Sequence, residues 1–270
     1  MICNEETVRA YGVDLDRLGR SPNTSRNYVS DLNQFLLWTG RDVPMEQFDG
    51  VAMDWLNAYR RIWQPRTSER RVTALRGFAR WTGALDPLRG YTTPTPARPV
   101  PHPIPEGIPG VLRLIDACGF HFEKRALIAM TGLCGLRIAE ALSIRPEDVD
   151  YERGLLTVYG KGSKVRVIPM SERAANEIAV AYARAIQDGR PTVLRWKDRH
   201  ARATITRLGV KAGLTRPLSS HDLRATFATA AYAKSKDLRA VQELLGHSSS
   251  ATTELYTGIS LATMRAAAEV

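Results

Sequence analysis

The sequence predicts a mainly α fold with one small antiparallel sheet. It divides into a helical domain over residues 1–92, a linker over 93–108 and a second, mostly helical domain over 109–270. Three observations carry this expectation. Apolar residues recur at helical spacing along most of the chain. Two short alternating segments, LLTVYG and VRVIP, flank Gly162-Ser163, which suits a tight hairpin turn. Between the domains, TTPTPARPVPHPIPEGIP carries Pro94, Pro96, Pro99, Pro101, Pro103 and Pro105. Proline at that density excludes helix and central strand and favours extended polyproline geometry. Such a stretch can recruit SH3-like modules, but between two helical patterns it reads as a semi-rigid spacer.

The elements follow in order. Ser21-Pro22 provides a cap and a first-turn proline for a helix whose apolar face is Tyr28, Leu32, Phe35 and Leu36. Further helices are expected over 51–61 and 68–81. The last turns Val72, Leu75, Phe78 and Ala79 inward and Arg70, Arg71, Arg76 and Arg80 toward solvent or a polyanion. After the linker, helical patterns run over 109–142, then the hairpin, then helices over 172–186, 201–212, 221–233, 238–245 and from 252 onward.

Charge narrows the function. The 270 residues hold 38 Lys+Arg against 28 Asp+Glu, a net +10. Residues 1–92 contribute 13 Arg minus 11 acids, or +2, so +8 lies in the remainder, where the motifs are. That balance favours a polyanionic partner, nucleic acid first. Cys3, Cys118 and Cys134 are odd in number and lack a CxxC pairing, so neither a zinc site nor a disulfide framework is expected. The polar NEET near the N-terminus is not a signal sequence, and no apolar run reaches membrane-spanning length, so a cytoplasmic, DNA-associated protein is expected, with no membrane partner.

Four segments carry chemistry: TGLCGLRIAEAL with Arg137 and Glu140, YGKGSKVRVIP with Lys161, HDLRATFAT with His221 and Arg224, and LGHSSSATTELYT with His247 and Tyr256. Phosphodiester cleavage needs a nucleophile, a proton donor for the leaving oxygen and charge stabilisation on a crowded phosphorane, and these residue types provide each. Spacing puts Arg137 and Glu140 on one helical face, and likewise His221 and Arg224, with Ser219 or Ser220 as cap. Alone, each has a plainer reading: a surface ion pair, a solvated helix start, a soluble hairpin lysine, a core tyrosine. Gly246 is expected to end a helix and aim His247. His102, His121 and His200 fit no pattern.

In order, spacing and wording, these segments resemble the tyrosine recombinase, or phage integrase, family over most of residues 105–258. The resemblance implies an N-terminal core-binding domain and a C-terminal catalytic domain holding opposite faces of a duplex. It implies that Tyr256 is the nucleophile, Arg137 and Arg224 clamp the phosphate, and His221 bonds it and assists proton transfer. It further implies that His247 is a phosphate ligand, Lys161 the general acid (Lys164 competing), and Glu140 an acid that orients its neighbours. Lys164 and Arg166 then fall to the DNA backbone, as do Arg70, Arg71, Arg76 and Arg80.

The chemistry implied is a 3′-phosphotyrosyl intermediate, whose conserved bond energy requires neither metal nor nucleotide. No P-loop, Cys/His cluster or carboxylate cage stands in the sequence, and no cofactor is expected. Partners implied are double-stranded attachment or core sites, a homotetramer exchanging strands through a Holliday junction, and an accessory bending or directionality factor. The C-terminal helix is expected to dock on a neighbouring protomer. The segment before the linker has room for one core-binding domain, so simple sites without arm binding are expected. The alternatives are an Xer-like chromosome or plasmid dimer resolvase and, in another class, a non-catalytic DNA-binding regulator.

Overall fold

A computed structural model of the protein describes residues 1–40, 42–84, 88–93, 102–160, 164–246, 265, 268 and 269. The chain forms two compact units, Met1–Pro99 and Val100–Val270. Most of the described residues are helical, with two small antiparallel sheets.

In the first unit, α1 (Glu5–Arg17) starts at a reciprocal cap: the Thr7 amide donates to the Asn4 side chain and the Asn4 amide to the Thr7 hydroxyl. The helix α2 (Pro22–Thr39) opens on Ser21 and Pro22, as expected, and stops at Gly40 in the left-handed region. Strands β1 (Ile2–Cys3) and β2 (Val43–Pro44) pair antiparallel and lead into α3 (Met45–Ala58) and α4 (Pro65–Trp81). The pattern over 51–61 thus lies toward the end of a helix that begins at Met45, because Phe48 and Ala52 belong to the same buried face as Trp55. Phe35 meets Phe48 and Trp55, and Phe78 meets Tyr11, closing an aromatic core.

The arginine face of α4 is partly internal, which corrects the expectation that Arg70, Arg71, Arg76 and Arg80 all face outward. Asp31 on α2 is buried, and a buried carboxylate requires a cation. Arg70 meets both its oxygens at 2.8 Å. Arg71 is itself buried, donates to Gln34 and stacks 3.6 Å from the centre of the Trp63 ring. Arg76 donates to the carbonyls of Leu88 and Tyr91. Arg80 is exposed.

In the second unit, α5 (Gly107–Ala117), α6 (Phe122–Gly132) and α7 (Ile138–Ser143) replace one long helical pattern. Left-handed glycines at 119 and 135 make the breaks. Because α5 starts at Gly107, the expected linker is trimmed at its end. Nearly all of α6 is buried, as befits a central helix packed on several sides. A 3₁₀ turn (Pro146–Asp148) leads to β3 (Val149–Asp150), β4 (Leu155–Tyr159) and β5 (Val165–Pro169), an antiparallel sheet in the order β3-β4-β5. The register runs from Leu155 opposite Pro169 to Tyr159 opposite Val165. Helices α8 (Glu172–Gln187), α9 (Asp198–Lys211), α10 (Ser220–Ser235) and α11 (Leu238–Leu245) complete the unit.

The hairpin turn at 162–163 lies outside the described residues, as does most of the helix expected from 252. Of that segment, Ala268 is buried in the core of its own unit. Among the described residues no helix is long and apolar enough to cross a membrane.

Gly135 has φ +68°, and an added Cβ would meet Phe227 Cδ1 at 2.4 Å and Leu245 Cδ2 at 3.1 Å. Left-handed strain and overpacking then add in Gly135→Ala. The expected destabilisation is about 2–4 kcal/mol, read from the urea midpoint.

Candidate active site

Arg137 sits at the N-cap of α7 in an extended conformation, φ −65°, ψ 150°. It therefore does not share a helical face with Glu140, as its spacing implied; the two meet through a capping box. The Arg137 amide donates to Glu140 Oε2 at 2.7 Å and its Nη1 to Oε1 at 2.9 Å. The Arg137 side chain is 42% exposed, so part of its guanidinium remains open to a ligand.

Glu140 is a buried hub. Arg166 on β5 grips it with both terminal nitrogens, at 3.1 and 2.8 Å, and Arg224 Nη1 lies 3.7 Å from its Oε2. One carboxylate thus faces three guanidinium groups, and the cluster keeps a positive excess suited to an anion. Burial alone would raise the Glu140 carboxyl. Hydrogen bonds from the Arg166 guanidinium and the Arg137 amide outweigh it and hold the group below the usual glutamate range.

Arg224 projects from α10 into the interior. Its Nη1 donates to the Gly135 carbonyl and its Nη2 to the Leu245 carbonyl, both at 2.6 Å. The second acceptor is one of the carbonyls that the end of α11 leaves without a helical partner. Burial, with the like charge of Arg137, pushes the guanidinium down to about 10, still protonated at neutral pH.

The start of α10 is built by Asp222, whose carboxylate accepts from the Ser219 amide at 2.7 Å and the Ser219 hydroxyl at 2.8 Å, with Arg216 at 3.0 Å. Of the two serines considered, Ser219 is the cap and Ser220 is buried in the first turn. Burial opposes ionisation of Asp222, but Arg216 and Ser219 prevail and lower its pKa. His221 shares α10 with Arg224, yet it is exposed where Arg224 is buried.

Near the hairpin, Lys164 is exposed and its carbonyl accepts from the Gly160 amide at 2.7 Å. Arg166 is not the outward DNA contact expected of it. Its side chain is 12% exposed, committed to Glu140 and, through Nε, to the Leu244 carbonyl at 3.0 Å. Strand alternation carried the missed signal: Arg166 shares a face with Ile168, a core residue, opposite the exposed Val165 and Val167. The Gly135 and Leu245 carbonyls leave no trace in side-chain sequence. Gly246 ends α11 in the left-handed region, as expected. Lys161, His247 and Tyr256 lie outside the described residues. Among the described residues no group of three or more His, Cys, Asp or Glu side chains is placed to hold a metal ion.

The Phage integrase family model matches residues 110–261. The chain is 32% identical to tyrosine recombinase XerA of Thermococcus kodakarensis, over 98% of this chain and 94% of that protein. It is also 32% identical to tyrosine recombinase XerD of Pseudomonas putida, over 92% of this chain and 90% of that protein. In structure it is similar to the integrase of mycobacterium phage Brujita, with TM-score 0.50 and 25% identity over 98% of this chain and 92% of that one. A lambda integrase tetramer bound to a Holliday junction shares the fold, with TM-score 0.69 and 18% identity over 93% and 79% of the two chains. With the family pattern over more than half its length and such relatives over nearly all of it, the protein belongs to the phage integrase family of tyrosine recombinases, enzymes that cleave and rejoin DNA at specific sites.

Proposed function

We propose that this recombinase is an integrase that joins DNA molecules through a 3′-phosphotyrosyl intermediate formed on Tyr256. The observation that supports the reading most directly is the gathering of Arg137 and Arg224, far apart in sequence, on the single carboxylate of Glu140. A scissile phosphate seated on the open side of Arg137 receives charge-assisted hydrogen bonds that strengthen as the phosphorane forms. Tyr256 passes its proton to His221 as its Oη bonds to phosphorus, the bond to O5′ breaks, and Lys161 gives O5′ its proton. His221 and His247 bond the nonbridging oxygens, and His221 takes part in proton transfer. The freed 5′ hydroxyl returns its proton to Lys161 and attacks the partner strand's phosphotyrosine, releasing the tyrosine of the protomer that cut that strand with the proton held by His221. Double-stranded core sites are the substrate, and a homotetramer passing through a Holliday junction is the working assembly, with an accessory DNA-bending or directionality factor.

The identity to the two Xer proteins over nearly the whole chain favours a second role on the same chemistry, the resolution of chromosome or plasmid dimers.

Nicked duplexes tiled across the DNA that flanks this gene, incubated with the protein in chelator, test the chemistry. The expected product is a denaturation-resistant adduct on the 3′ side of the break, mapped by peptide mass spectrometry to Tyr256, with a free 5′ hydroxyl. An adduct on another residue, or duplex binding with no adduct at a site the protein occupies, leaves a DNA-binding regulator instead. Circular dimers carrying the mapped site, set against separate attachment sites, distinguish resolvase from integrase.

A further inference from the structure

We propose that Arg166 is a positioning residue for strand cleavage, its guanidinium joining the Glu140 carboxylate to the Leu244 carbonyl and so holding the end of α11 in register with Arg137 and Arg224. The proposal deepens the reading of this site as a cleavage centre and rests on it.

Two successive carbonyls at the end of α11 are each taken by an arginine. Leu244 accepts from Arg166 Nε at 3.0 Å and Leu245 from Arg224 Nη2 at 2.6 Å. Both arginines also lie against Glu140, at 2.8 and 3.7 Å. Cations complement a helix C-terminus, but the geometry here does more than neutralise a dipole. Arg166 uses Nε toward α11 and the Nη1/Nη2 pair toward α7, a fork that a single ammonium cannot reproduce.

The chain then leaves α11 directly over this side chain. Gly246 has φ +62°, and an added Cβ would stand 3.0 Å from Arg166 Cδ and Nη1. The next residue is His247, and Tyr256 follows in the same segment. The direction of that departure is therefore set where Arg166 and Gly246 touch. Since Nε, Nη1 and Nη2 of Arg166 are all engaged by Leu244 and Glu140, its effect on DNA chemistry is exerted through these contacts and not by touching a phosphate.

The test uses the full chain and a nicked duplex carrying the site mapped with the unaltered protein. Duplex binding and the single-turnover rate of adduct formation at saturation are measured for Arg166→Lys, Gly246→Ala, Glu140→Gln and the double variant Arg166→Lys/Glu140→Gln. Gly246→Ala keeps every charge while it crowds the guanidinium and strains the left-handed cap that rests on it. Misplacement on the order of 1 Å costs about 10²-fold, so Arg166→Lys and Gly246→Ala are each expected to slow adduct formation by about 10- to 100-fold. Binding should stay within about twofold, because no phosphate contact is lost. The double variant should be no slower than its slower parent, because both changes break one linkage.

Adduct formation at the unaltered rate in both Arg166→Lys and Gly246→Ala overturns the proposal. So does weakened binding with a normal rate at saturation, which would make Arg166 a DNA contact. Multiplicative losses in the double variant, or loss of the folded state in both Arg166→Lys and Gly246→Ala, also overturn it, the latter assigning Arg166 to stability alone. Absence of an adduct with the unaltered protein would instead remove the cleavage reading itself.

Discussion

Arg224→Ala is expected to slow strand cleavage by about 10³-fold or more, the scale on which arginine stabilisation of phosphoryl transfer and single transition-state donors act. The loss has two sources. A guanidinium is removed from the proposed phosphate site, and the Gly135 and Leu245 carbonyls, both 2.6 Å from it, lose their donor. Each buried acceptor left unpaired costs about 1–3 kcal/mol, partly offset because a desolvated cation is no longer buried. A net destabilisation of about 2–4 kcal/mol in urea unfolding is therefore expected. Arg224→Met separates the two effects. It fills most of the space and should recover part of the stability, while adduct formation on a nicked site stays at the alanine level. Cleavage by the methionine variant near the unaltered rate would show that Arg224 only holds the fold.

Glu140→Ala should have the next largest effect, and mainly on folding. It leaves Arg137, Arg166 and Arg224 facing one another without their counter-charge, and breaking a buried ion pair from one side costs about 3–5 kcal/mol. Glu140→Gln keeps the shape and one acceptor, so it should cost less.

The pH dependence follows from the lowered Glu140 carboxyl. Its folded pKa lies below its unfolded value, so the unfolded chain binds the proton more tightly. The stabilisation is complete above about 4.3, the ordinary glutamate value, and is lost as pH falls through the depressed folded value. Urea midpoints measured from neutral pH downward should therefore fall less steeply in Glu140→Gln than in the unaltered protein. Parallel acid limbs would mean that the carboxylate is not held by its arginines.

Much of this was legible in the sequence, and the parts that were not share a cause. Ser21, Pro22 and Gly246 announce helix ends because capping is local chemistry, and each does what its residue type prescribes. The strands on either side of the hairpin alternate because one face meets the core. What spacing misjudged was partnership. Arg137 and Glu140 looked like neighbours on a helix, but Arg137 stands outside it as the cap, a choice of backbone conformation that side-chain spacing does not encode. Arg71 and Arg166 looked like surface cations, but each faces a buried acid contributed by a remote helix, Asp31 or Glu140. Arg224 takes two backbone carbonyls, acceptors that every residue carries and no letter marks.

The inward arginines change what the chain brings to a polyelectrolyte. Binding to DNA draws much of its free energy from condensed counterions set free when a cation replaces them at a phosphate. A guanidinium already engaged by a carboxylate, as Arg70 is by Asp31, Arg125 by Glu177 and Arg190 by Glu123, has little charge left to exchange. Neither has one closed between rings and a side-chain amide, as Arg71 is. Such ion pairs cancel within the formal +10, so it is the 38 Lys and Arg that overstate the exchange, and the ionic atmosphere of the duplex meets a smaller set of mobile cations. Among the described residues, Arg70, Arg71, Arg125, Arg166 and Arg190 serve as counterions of the protein's own buried acids.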